Sequence, residues 1–237
     1  FFSSLFSWGV LPFLLFPVFF LPFLVFREET ASWPGISPAM FRTSQLKLSY
    51  CLSFGSGFIQ ASMLFVPALV EEVLGTSASS ASFLLLPLVL SMAVFAPIFG
   101  RLLGKIGARA VVNIGTLILT GGFLLLALFL RHGAVFVFAM VLIGIGLAVM
   151  FGAPLRYVML NEAEEKDRST VQALGNLFSG TGQILSSALI GAIVASAGGG
   201  LPGYRHAYET AGLVAFLLFL VSLGLRKGAA PRGARRF

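Results

Sequence analysis

Seven apolar stretches, each long enough to cross a lipid bilayer, constrain the fold of this chain more than any other feature. A transmembrane helix needs about 20 mainly apolar residues, and the stretches cover residues 5–26, 48–70, 81–103, 108–130, 134–155, 171–196 and 207–225. None of them alternates apolar and polar residues, as the roughly 10-residue strands of a membrane β-barrel would. The sequence therefore predicts an all-α membrane protein with seven transmembrane helices.

The composition supports a membrane location over a soluble one. Only 11% of the 237 residues are charged, whereas about 25% is usual for soluble domains, and the mean hydropathy is +0.96. The net charge of +7 does not indicate nucleic-acid binding, because the basic residues lie in short gaps between apolar stretches. A single cysteine, Cys51, excludes an intrachain disulfide and a zinc site built on paired cysteines.

The positions of Lys and Arg predict the orientation of the helices. When alternate loops are assigned to the same side, 14 of the 16 basic residues fall on one side, and only Arg131 and Arg205 fall on the other. Loops rich in Lys and Arg remain in the cytoplasm. The sequence therefore predicts a plasma (inner) membrane protein with its amino end outside and its carboxyl end in the cytoplasm.

The chain divides into four parts. A leading span at 1–26, with prolines at 12, 17 and 22, is followed by a polar cytoplasmic linker at 27–47. A six-helix transmembrane bundle at 48–225 and a basic cytoplasmic tail at 226–237 complete it. Because the sequence begins with Phe1, we also considered that it is a fragment of a longer protein; a genuine half-size protein is the alternative.

Two of the predicted helices carry polar stripes, which are costly inside a membrane and therefore candidate functional sites. Helical spacing places each set on one face; the residues are Ser49, Ser53, Ser56 and Gln60 on one helix, and Gln172, Asn176, Ser179 and Gln183 on the other. One interpretation is that the stripes bond neighbouring helices together. The other, which we favour, is that both stripes face a water-accessible substrate cavity.

Several classes of site are not expected. The sequence has no HExxH, GxSxG or P-loop motif, so we predict no enzyme activity and no cofactor. Both histidines, His132 and His206, fall in predicted outer loops, which argues against a metal site within the membrane. No Asp or Glu lies deep in any predicted span, so a titrating carboxylate for proton coupling is not expected in this stretch.

The loop GRLLGKIGAR, residues 100–109, resembles a signature of major facilitator superfamily transporters, G-x-L-x-D-[RK]-x-G-[RK]-[RK]. Gly100, Leu102, Lys105, Gly107 and Arg109 match, whereas Gly104 replaces the Asp and Ala108 replaces a basic residue. The surrounding run VLGTSASSASFLLLPLVLSMAVFAPIFGRLLGKIGAR and the later run DRSTVQALGNLFSGTGQILSSALIGAIVAS are similar to drug:proton antiporters of that superfamily. The degraded signature and the basic tail are typical of the carboxyl-terminal half.

The resemblance implies a function and a set of partners. It implies one leading span plus a major-facilitator-type half bundle, part of a secondary active transporter that exports small amphipathic compounds by alternating access with proton coupling. The partner would be a missing amino-terminal half bundle or a second copy of the chain in a homodimer. A non-transporting membrane scaffold or subunit is the alternative from another class.

The same resemblance implies a role for the loop. In the family this loop belongs to a latch that stabilises one conformation of the transporter. The residues of this chain that match the latch are Gly100, Lys105, Gly107 and Arg109. Lys105 and Arg109 would then pair with carboxylates or lipid phosphates. The alternative is that these charges only anchor the loop on the cytoplasmic side.

Overall fold

The computed structural model of the protein describes residues 41, 43–75, 83–130 and 132–226. The predicted leading span, most of the linker and nearly all of the basic tail lie outside these residues. The residues that are described belong to one compact unit, Met40–Phe237, and their regular structure is entirely helical.

Eight α-helices and two short 3-10 helices make up the described part of the chain. The α-helices are α1 (Ser44–Ser62), α2 (Val66–Leu74), α3 (Leu86–Ile106), α4 (Ala108–Leu128), α5 (Gly133–Met150), α6 (Ala153–Glu162), α7 (Arg168–Ser196) and α8 (Gly200–Leu223). The 3-10 helices, Met63–Phe65 and Glu165–Asp167, directly precede α2 and α7.

Six helical segments of the described chain are long and apolar enough to cross a membrane. They are Ser44–Glu72, Leu86–Ile106, Ala108–Leu128, Gly133–Glu162, Glu165–Ser196 and Gly200–Leu223. These segments match six of the seven predicted spans, which confirms the prediction of an all-α membrane protein. Several helices extend beyond the apolar stretches that predicted them, because a helix continues readily through polar residues where its side chains reach water.

Two of these segments are interrupted close to prolines. α5 ends at Met150 and α6 begins at Ala153, with Pro154 in its first turn. The first segment is also broken, because the 3-10 turn at Met63–Phe65 separates α1 from α2, which carries Pro67 in its first turn. Proline has no N–H and clashes with the carbonyl four residues earlier, so a continuous helix is disfavoured at both points.

The bundle is organised around the short helix α6. The long helices pack in the series α7, α1, α8, α4, α5 and α3, each mainly against its neighbours in that order. α6 contacts members from both ends and the middle of this series, namely α1, α3, α4 and α7. The break between α5 and α6 therefore lies where several helices meet.

Hydrogen bonds at the two ends of the bundle are consistent with successive spans that run in opposite directions. At one end, Gln45 Nε2 donates to the Gly224 carbonyl over 3.2 Å, and Gln45 Oε1 accepts from the Arg226 N–H over 2.8 Å. At the other end, the Glu72 carboxylate accepts a hydrogen bond from the Gly200 N–H. The first end carries the segments that the sequence predicts to be cytoplasmic.

Candidate functional site

The predicted polar stripe of the first described span lies on α1 and is mostly buried. Ser49, Ser53 and Ser56 are at most 4% exposed. The Ser49 hydroxyl donates to the Gln45 carbonyl over 2.9 Å, and the Ser56 hydroxyl donates to the Ser53 carbonyl over 2.7 Å. Two of the three hydroxyl protons are therefore used within α1 itself, which is a common arrangement for serine in membrane helices.

The second predicted stripe lies on α7 and is more accessible. Asn176 is exposed, whereas Gln172, Ser179 and Gln183 are half-buried. The Ser179 hydroxyl oxygen is itself buried and has no hydrogen-bond partner in the described part of the protein. An unpaired hydroxyl in a membrane helix is costly, so this atom marks a place where a ligand or water would be stabilising.

Glycines bring the two striped helices into close contact. A Cβ atom at Gly57 of α1 would overlap the Ser179 carbonyl of α7, and one at Gly182 of α7 would overlap the Phe54 carbonyl of α1. Small residues at such positions allow helix backbones to approach within a membrane. Because the backbones touch there, the polar residues near this contact are held at fixed distances from one another.

A cavity of about 40 Å³ lies between α1, α7 and the break that separates α5 from α6. Four of the predicted stripe residues contribute to its wall, namely Ser53, Ser56, Asn176 and Ser179. The wall also contains residues that the stripe analysis missed: Met150, Phe151, Leu155, Arg156, Met159 and Gly175. The sequence signal for the second group is Pro154, because proline is favoured in the first turn of a helix, and it places Leu155 and Arg156 at the start of α6.

The other four predicted residues lie away from this cavity wall. Gln183 Nε2 donates to Gln60 Oε1 over 2.7 Å, so the two stripes meet again farther along the helices. Gln60 is exposed and Gln183 half-buried, which leaves this pair accessible from the bundle surface. Ser49 and Gln172 are not part of the cavity wall.

The loop that resembles the family signature forms the tight turn between α3 and α4. Gly107 has φ +83° and ψ 160°, a combination that is essentially restricted to glycine. Gly100 lies within α3, and a Cβ added there would meet no atom within 4 Å. The Lys105 side chain is exposed, and it has no ion pair in the described ranges.

Arg109 has a definite partner within the bundle. Its Nη2 atom donates to the Leu223 carbonyl over 2.9 Å, at the carboxyl end of α8. The last carbonyls of a helix have no partners within the helix, and a basic side chain there also interacts favourably with the helix dipole. Arg109 therefore connects the signature loop to the end of the last helix.

The architecture and the site define the class of this protein. The described part of the chain has six segments long and apolar enough to span a membrane, and three of them line a small cavity beside a broken helix, which is the architecture of an integral membrane protein. The sequence model of the Major Facilitator Superfamily matches residues 46–236. The chain belongs to the Major Facilitator Superfamily, whose members are transporters, and the predicted resemblance is confirmed.

Three curated relatives, all from Bacillus subtilis (strain 168), illustrate the similarity. The uncharacterized MFS-type transporter YfiU is 32% identical over 144 residues, which cover 61% of this chain and 27% of that protein. The multidrug transporter protein MdtP is 24% identical over 82% of this chain and 36% of its own length. Multidrug resistance protein 3 is 29% identical over 76% of this chain and 36% of its own length. The matched region therefore spans about a third of each relative.

Proposed function

We propose that this chain is part of a secondary active transporter that exports small amphipathic compounds across the plasma membrane. The polar faces of α1 and α7, together with the start of α6, form part of the substrate pathway. Transport proceeds by alternating access, in which two helical bundles rock around a central site, and it is driven by protons. The second bundle comes from further polypeptide or from a second copy of the chain.

The observation that carries this proposal is the shared cavity. Polar residues from two helices, Ser53 and Ser56 on α1 and Asn176 and Ser179 on α7, contribute to one wall. A purely adhesive role for the stripes predicts direct bonds along their whole length, whereas among the described stripe residues Gln60 and Gln183 are bonded to each other and a cavity lies between Ser53, Ser56, Asn176 and Ser179. Two relatives are named for multidrug transport and multidrug resistance, which supports the choice of amphipathic substrates.

The turn between α3 and α4 has a supporting role in this scheme. Gly107 makes the turn tight, and Arg109 ties it to the carboxyl end of α8. We propose that this connection keeps α3, α4 and α8 together as one rigid body while the bundle rocks. The cytoplasmic location of this end follows from the distribution of basic residues.

Everted membrane vesicles that carry the protein provide the test. On energisation, vesicles with the protein should accumulate ethidium faster than vesicles without it, and a protonophore should abolish the difference. Dye accumulation that equals the control, in vesicles shown to contain the protein, contradicts the proposal. Accumulation that survives the protonophore contradicts the proton coupling alone.

A further inference from the structure

Arg156 is the one charged residue in the wall of the cavity between α1, α7 and the α5–α6 break. Its side chain is exposed, and no described acidic residue forms an ion pair with it. No Asp or Glu is among the residues of the cavity wall. The cavity wall therefore carries a permanent positive charge. No acidic residue in the described part of the chain forms an ion pair with it.

The start of α6 supplies N–H groups beside Arg156. α5 ends at Met150, and α6 begins at Ala153 and runs for 10 residues. The first N–H groups of an α-helix have no partners within the helix. Leu155 and Arg156, both in the first turn of α6, belong to the cavity wall. Met150 and Phe151, at the carboxyl end of α5, belong to it as well, so the opposite dipoles of the two helix ends offset each other and the positive charge of the cavity comes from Arg156.

Hydrogen-bond donors complete the cavity wall. The Ser179 hydroxyl is buried without a partner, and Ser53, which is 4% exposed, donates no hydrogen bond within the described residues. The exposed Asn176 amide supplies two further N–H donors. Together with Arg156, these groups belong to three different helices, and all of them can donate to oxygen atoms of a bound anion.

The volume limits what the cavity can hold. The cavity measures about 40 Å³ and is partly open to the outside, so a small polar group can enter it while a larger apolar body remains outside. A carboxylate group does fit, and Arg is well suited to bind it because the planar guanidinium donates two parallel hydrogen bonds. Met150, Phe151 and Met159 supply adaptable apolar surface beside it.

We propose that this cavity is a subsite for an anionic head group and that it binds the carboxylate of an amphipathic organic acid. The carboxylate oxygens accept hydrogen bonds from Arg156, Ser179 and Asn176, and the apolar body of the compound extends out of the cavity. This inference rests on the proposed transport function and assigns one subsite to those of its amphipathic substrates that carry a carboxylate.

A matched pair of probes tests the subsite. The protein, reconstituted in nanodiscs, is titrated with dansylaminoundecanoic acid and separately with its methyl ester, which has the same apolar body without the charge. Hydrogen bonds to a charged group contribute about 1.5–3 kcal/mol, so Arg156→Gln should weaken binding of the acid by about tenfold or more. Binding of the ester should change by less than about twofold.

Two further variants serve as controls. Arg168→Gln removes the same charge from an exposed position at the start of α7, outside the cavity wall, and should leave both affinities unchanged. Arg156→Lys keeps the charge but loses the planar pair of donors, and should give an intermediate affinity for the acid. Thermal unfolding midpoints of all variants establish that each is folded.

The outcomes separate the subsite from the transport function. Equal weakening of acid and ester by Arg156→Gln, or no change for the acid, contradicts the subsite. If a carboxylate of the protein itself occupied the cavity, Arg156→Gln would lower the unfolding midpoint without lowering the affinity for the acid, which also contradicts it. If the wild-type protein did not transport ethidium, the transporter proposal would be contradicted. The ratio of the affinities for the acid and its methyl ester would still test the subsite.

Discussion

Gln183 of α7 donates a hydrogen bond from Nε2 to Oε1 of Gln60 on α1 over 2.7 Å, which joins the two polar stripes away from the cavity. Each amide retains further donors and acceptors that this single bond does not use. Gln60 is exposed and Gln183 half-buried, so the remaining groups are open to the surface of the bundle. The pair can therefore stabilise the contact between the helices and also be part of a polar pathway.

A double-mutant cycle measures the stabilising part of this contact. Gln60→Leu and Gln183→Leu should show a coupling free energy of about 0.6 kcal/mol, typical of a side-chain hydrogen bond between membrane helices. Unfolding of the single and double variants in bicelles gives this value. Gln60→Leu combined with Gln172→Leu is the control, because Gln172 lies elsewhere on α7 and its effect should be additive. Additivity of the first pair would contradict the bond.

The close contact between α1 and α7 depends on Gly57. Gly57→Ala should destabilise the protein by about 1–3 kcal/mol, because the new methyl group would overlap the backbone carbonyl of Ser179 and force the helices apart. Gly180→Ala is the matched control on α7. A Cβ at Gly180 meets no atom within 4 Å, so this change should stabilise the helix by up to about 1 kcal/mol. The thermal unfolding midpoint should therefore fall in Gly57→Ala and stay equal or rise in Gly180→Ala. Equal shifts of the midpoint in both variants would contradict the close contact between α1 and α7.

Two glycines of the signature loop should respond differently to alanine. Gly107→Ala should cost about 1–3 kcal/mol, because φ +83° with ψ 160° is strained for a residue with a Cβ. Gly104→Ala should be neutral or slightly stabilising, because Gly104 lies within α3 and its surroundings are open. Denaturation of both variants in detergent compares them directly. A neutral Gly107→Ala would show that the turn adopts another conformation.

The two basic residues of the same loop should also differ. Arg109→Ala removes the donor to the Leu223 carbonyl and should lower the free energy of unfolding by about 1 kcal/mol. Lys105→Ala should change it by less than about 0.5 kcal/mol, because Lys105 is exposed. Hydrogen exchange at the end of α8 provides a local measurement, since the amides near Leu223 should exchange faster only in Arg109→Ala. Equal exchange in both variants would contradict this role for Arg109.

Much of the fold was predictable from the sequence because membrane-spanning helices are recognisable from local composition alone. The six described spans follow from the length of the apolar stretches. The break between α1 and α2 was not predicted, although Pro67 is present. Proline is tolerated within α3 at Pro97, so a proline alone does not determine whether a helix is interrupted.

The site was predictable only in part, because periodicity shows which face of a helix is polar but not which helix lies opposite. Ser53 and Ser179 were both selected as polar stripe residues, and the structure brings them to one cavity wall. Arg156 was counted only as a basic residue near a loop, since its place beside the cavity depends on contacts between distant segments. The partner of Arg109 is 114 residues away along the chain, and no local pattern indicates it.

The most direct test of the proposed polar pathway is the reactivity of cysteines placed at Gln60 and Gln183. Cys51 is exposed, so Cys51→Ser provides the background for Gln60→Cys and Gln183→Cys. Leu117→Cys is the control, because Leu117 is 54% exposed on the apolar surface of α4 and should face lipid. A membrane-impermeant, water-soluble thiol reagent should label both Gln positions in membranes and leave Leu117→Cys unlabelled. Protection of both Gln positions from the reagent would contradict a water-accessible pathway along the two stripes.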